Sequence, residues 1–162
     1  MLKRFAPKLG LGTLGIAGMM ALASDVRAID QSTPAIAGRA WLPGEAGCFS
    51  TPSFSNRVTN TACAGSRSWL VPITTNRFVV GISVNHTIRA SSAGAGAAPQ
   101  CRFVMRNASD SSGSLGGLVS VGTLSLLGSP LVTPSSGETL HVDCTLAQNG
   151  RGLTSVNWFV PQ

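Results

Sequence analysis

Period-two alternation of apolar and polar residues recurs along this chain, and no stretch beyond residue 28 shows a convincing 3.6-residue period. A chain patterned this way buries faces of strands rather than stripes of helices. The alternation is longest over residues 77–89. There Phe78, Val80, Ile82, Val84, His86 and Ile88 share one face, and Arg77, Gly81, Ser83, Asn85, Thr87 and Arg89 the other. This predicts one long half-buried strand. Shorter strands are expected at 66–73, with Trp69, Val71 and Ile73 on one side, and at 101–106, 118–127, 139–146 and 154–160. Gly122 reads as a candidate bulge inside its strand.

The connections are equally legible. Trp41-Leu42 followed by Pro43-Gly44 suggests a short strand and a turn, and Asn149-Gly150 is a hairpin signal. Residues 91–99 and 108–117, rich in Ser, Gly and Ala, read as flexible loops, and Pro130 and Pro134 interrupt the chain before residue 139. About seven or eight short strands with turn-rich linkers make an all-β antiparallel β-sandwich the expected architecture, with a small β-barrel as the alternative. An immunoglobulin pattern does not fit, because Trp69 and Trp158 both fall outside the 101–144 interval.

The first 28 residues read as a cleaved secretory signal peptide. Lys3, Arg4 and Lys8 form a basic start, residues 9–23 are apolar, and Val26 and Ala28 occupy the −3 and −1 positions before a cut. The apolar run is shorter than the roughly 20 residues that span a bilayer, so an uncleaved anchor is the weaker reading. Residues 29–162 then form a single domain, with 29–40 a loose N-terminal arm or a first edge strand. The expected location is periplasmic or extracellular, with no membrane association after cleavage.

Removing the signal changes the charge argument. The whole chain carries a formal +6, but residues 29–162 hold eight Arg against Asp30, Glu45, Asp110, Glu138 and Asp143, a net of +3. Those Arg are scattered singly rather than set in a stripe with interleaved aromatics, so a nucleic-acid partner is not expected. Residues 29–162 contain no Lys, which excludes Schiff-base and Ser-Lys chemistry.

Cys48, Cys63, Cys101 and Cys144 are the only cysteines, an even number that implies two disulfides in an exported protein. Cys101 shares a face with Phe103 and Met105, and Cys144 shares one with Leu140, Val142 and Leu146, so both lie on buried strand faces. Pairing Cys101 with Cys144 leaves Cys48 with Cys63. No two cysteines are spaced as a zinc-binding pair, and carboxylates are too sparse for calcium, so no metal or cofactor is expected.

Titratable groups for catalysis are few. His86 falls in the apolar phase near the end of its strand, where a buried, satisfied imidazole is the plain reading and a base assisted by Ser83 or Asp110 the sharper one. His141 and Asp143 share the outward phase of their strand. If the strand of Cys101 lies alongside, Arg102 and Arg106 join them in one polar patch. There is no nucleophile elbow and no phosphate-binding glycine loop. Exposed aromatics mark sugar platforms, and Trp41 and the pair Trp158-Phe159 are candidates, since adjacent strand residues point to opposite faces. Candidate ligand contacts are thus Arg102, Arg106, His141, Asp143 and Trp158.

These observations lean away from an enzyme. They favour a secreted binding or cell-surface structural protein with a glycan or extracellular protein as partner. Self-association through an open sheet edge, filled by the 29–39 arm of another copy, is a further expectation. The alternatives are a small secreted hydrolase using His141 or His86 with an acid, and a secreted inhibitor or toxin.

Overall fold

A computed structural model describes residues 29–52, 54–74, 80–107, 112–114 and 116–160. The expected signal peptide, residues 1–28, lies outside them. The described chain is all-β and antiparallel, with two short 3-10 turns, Ala35–Ala37 and Pro43–Cys48. In chain order the strands are β1 (Ile29–Pro34), β2 (Arg39–Ala40), β3 (Phe49–Ser50), β4 (Thr59–Asn60) and β5 (Ser66–Pro72). There follow β6 (Val84–Asn85), β7 (Thr87–Ala93), β8 (Gln100–Arg106), β9 (Ser112–Ser114) and β10 (Val119–Ser120). The last are β11 (Ser125–Gly128), β12 (Leu131–Val132), β13 (Thr139–Ala147) and β14 (Gly152–Val160). More strands form than alternation suggests, because six of the fourteen are only two residues long: β2 and β10 lie against longer strands, and β3 with β4 and β6 with β12 pair with each other.

Two sheets carry the molecule. One has four strands in the order β1-β14-β7-β11; the other has six, β10-β8-β13-β5-β2, with β9 also paired to β8. One buried cluster draws on both. Ile88, Ala90, Val156 and Trp158 come from the four-stranded sheet, and Trp69, Val71, Phe103, Leu140, Val142 and Leu146 from the six-stranded one. Each of the Val, Leu, Ile and Phe side chains among them contributes about 1.5–3 kcal/mol by leaving water. The sheets meet closely at Gly128, whose φ is +148° and where an added Cβ would lie 2.8 Å from the Phe103 ring. A bulge in β11 falls at this point, between Leu126 and Gly128.

Both disulfides form as expected, Cys48–Cys63 and Cys101–Cys144. Cys101 and Cys144 are directly opposite on neighbouring strands, so the bridge lies within one sheet, on its core face.

Six expectations about the chain's course are corrected. The long strand over 77–89 does not form. Residues 75–79 lie outside the described residues; Gly81 turns with φ +76°, and Val80 and Ile82 are 59% and 53% exposed. Alternation alone does not make a strand, because a ladder also needs a partner. Here the available partner is Leu131–Val132, confined between Pro130 and Pro134. The ordered part shifts C-terminally, so that Ser91–Ala93 belong to β7 rather than to a flexible loop. Ser92 is buried there, its hydroxyl donating to the carbonyls of Val121 and Gly122.

The segment 118–127 is likewise two strands in different sheets. Gly122 sits at the crossing between β10 and β11 and is not a bulge in one strand. Asn149-Gly150 makes a turn with Asn149 at φ +52°, yet it links β13 of one sheet to β14 of the other and so closes no hairpin. Within 108–117, Ser112–Ser114 form β9 on the edge of β8. Residues 29–34 are the edge strand β1, paired with β14 of their own chain. Trp41-Leu42 form a bend after β2 instead of a strand.

Candidate functional site

The outer face of the six-stranded sheet gathers four of the five residues singled out by sequence. In the β13–β8 register Asp143 stands opposite Arg102, His141 opposite Val104, and Thr139 opposite Arg106. Period two then places Arg102, Arg106, His141 and Asp143 on one face. The Arg102 Nε–H donates to Asp143 Oδ2 at 3.3 Å.

This patch is nevertheless largely covered, with only Arg102, its side chain 37% exposed, reaching solvent. Asp143, Arg106 and His141 are 2%, 3% and 9% exposed, and Leu70 and Val104 on the same face are sealed. Trp41 follows edge strand β2, and the Arg106 guanidinium lies 4.5 Å from the centre of its indole ring. Ring and cation meet across the two strands that separate β2 from β8. Burial raises the Asp143 carboxyl above the ordinary carboxylate value, opposed by Arg102, Ser68 and Arg106. Stability from this group therefore declines as pH rises through the interval above that ordinary value. A carboxylate held this way anchors a packed face more readily than it meets a ligand.

Two further candidates take interior positions. Trp158 is 1% exposed and donates its indole N–H to Gln31 Oε1 at 3.0 Å, so it is a core residue and no surface platform. The core phase of β14 required this, with Val156 pointing the same way. His86 is fully buried, and its Nδ1 lies 3.0 Å from the Val84 carbonyl. A carbonyl only accepts, so Nδ1 carries a proton. Burial lowers the His86 pKa below the usual imidazole value, partly offset by that hydrogen bond. A base must reach its substrate, and this one has no surface.

The open chemistry lies on the other sheet. If Trp158 points inward, its neighbour Phe159 points outward, and it is half-buried on the outer face of the four-stranded sheet. Asn157 sits opposite both Arg89 on β7 and Ser32 on β1. The Arg89 guanidinium lies 5.1 Å from the centre of the Phe159 ring. Gln31, Ser32, Arg89, Leu124, Asn157 and Phe159 line a depression of about 270 Å³.

Sequence reasoning placed Arg89 on an outward phase and allowed for Phe159. It had no means of joining them, because β1, β7 and β14 are far apart in the chain. A second depression, of about 290 Å³, lies near Asn107, Leu131, Thr133 and Glu138 and holds no aromatic ring.

Among the described residues no three of His, Cys, Asp and Glu come together as metal ligands. No protein-family model matches the chain, and no curated protein matches it in sequence.

Proposed function

We propose that this chain is an exported, non-catalytic binding protein that presents the outer face of its four-stranded sheet to a ligand outside the cell. The observation that carries this reading is the depression around Phe159, where a ring, a guanidinium, amides and a hydroxyl converge. Most of these groups stand on paired strands, β1, β7 and β14, so their spacing is held by the ladders. Pre-organisation of this kind lowers the ordering cost of binding. Two disulfides support a role in an oxidising environment. The burial of His86 and His141 supports binding over hydrolysis.

A glycan array and a pull-down from culture medium, run with wild-type protein and with Phe159→Ala and Asn157→Ala, test the reading. Ligand capture is expected to fall at least tenfold in both variants. Undiminished capture by both overturns it.

A further inference from the structure

We infer that the depression beside Arg89 takes a carboxylate-bearing sugar ring of an acidic polysaccharide; this deepens the proposed reading of that face and rests on it. The polar groups lining the site are set in complementary roles. Gln31 is paired opposite the inward Trp158 and accepts its indole N–H, so the donor that faces the depression is the Arg89 guanidinium. Asn157 Nδ2 donates to Ser155 Oγ at 3.4 Å, which leaves Asn157 Oδ1 as an acceptor. Ser32, exposed at the rim, does either. A donor, an acceptor and a hydroxyl within one small depression match the vicinal hydroxyls of a pyranose.

Arg89 supplies the charge preference. It makes no ion pair with any described residue, and its guanidinium is held against the Phe159 ring. A planar fork fixed in this way suits a carboxylate, which it engages through two parallel hydrogen bonds. The volume of about 270 Å³ accommodates one ring unit rather than a large apolar ligand. An apolar peptide side chain would leave the amide, hydroxyl and guanidinium groups of this lining without partners. Leu124, 55% exposed at the margin, and the Phe159 ring offer apolar surface for the C–H face of a sugar.

The test is calorimetric titration of the protein produced from the full chain with three probes: a uronic-acid oligosaccharide, the same oligosaccharide with its carboxyls reduced to alcohols, and a sulfated oligosaccharide. The uronate is expected to bind at least tenfold more tightly than the reduced form, and more tightly than the sulfated one. Arg89→Ala and Arg89→Gln should each lower uronate affinity at least tenfold and remove most of the preference for uronate over the reduced form. Circular dichroism confirms that both variants fold, and two different replacements guard against one failing. Equal binding of uronate and reduced sugar, or uronate binding indifferent to both Arg89 variants, overturns the carboxylate assignment and leaves the surface reading standing. Capture of a protein but no sugar, lost in Phe159→Ala, overturns the sugar and again leaves the surface. Undiminished capture of every ligand by Phe159→Ala and Asn157→Ala removes both.

Discussion

Each of the two sheets carries an arginine against an aromatic ring on its outer face, and the two pairs have opposite fates. On the six-stranded sheet Arg106 meets Trp41 at 4.5 Å and is 3% exposed. On the four-stranded sheet Arg89 meets Phe159 at 5.1 Å and both remain partly open. The local chemistry is nearly the same. The difference is that the chain after β2 folds Trp41 over the first face. A guanidinium stacked on a ring is therefore part of the packing where it is desolvated and stays open to contact where water still reaches it.

Substitutions on either sheet should separate the two pairs. The largest effect is expected from Cys101→Ser with Cys144→Ser, which unpins the two strands that present the covered face. The bridge closes 43 residues, for which chain entropy gives about 4 kcal/mol. Urea denaturation should show that loss. A double variant as stable as wild type would mean that the sheet is held without its staple.

Asp143→Ala comes next. It removes a buried carboxylate that faces Arg102 and Arg106, and a cost of about 3 kcal/mol is expected. Ligand capture by the folded fraction should not change, since the other face is untouched. Trp41→Ala strips the cover from the same cluster and should cost about 2 kcal/mol, from lost packing and a lost cation–π contact. Its consequence for the comparison is sharper than its size, because the exposed Arg106 would then resemble Arg89. Faster hydrogen exchange along β8 and β13 would register the uncovering.

Acid should act through His86. Its pKa is lowered on folding by burial, so the unfolded chain takes up protons that the folded chain refuses. Stability is then complete above the ordinary imidazole value and is lost as pH falls below it. The thermal midpoint should fall between pH 7 and pH 5, and His86→Asn should flatten that slope. The smallest stability effect belongs to Arg89→Ala, within about 0.5 kcal/mol, as for other surface substitutions. A large loss of stability in this variant would place Arg89 with Arg106 as a structural residue and erase the contrast.

How far the sequence reached can be judged at particular residues. Alternation identified β5, β8, β13 and β14 and the inward phase of Cys101, Cys144 and Val156, because burial of one face imposes period two. It also anticipated that Arg102, Arg106, His141 and Asp143 would share a face. It could not say that most of this face is covered, since Trp41 lies 65 residues before Arg106 in the chain. It overextended the strand at 77–89, because a single sequence does not contain the information that the partner is cut short by Pro130 and Pro134.

Composition and period alone settled that this chain folds as antiparallel β-structure stapled by Cys48–Cys63 and Cys101–Cys144. Those properties are local: side-chain alternation is a two-residue rule, and with one cysteine pair assigned the other follows. Which strands belong to which sheet, and which of two similar arginine–aromatic pairs faces water, was decided only by tertiary structure. Both depend on contacts between segments distant in the chain, where pairing partners and covering residues compete for the same surface.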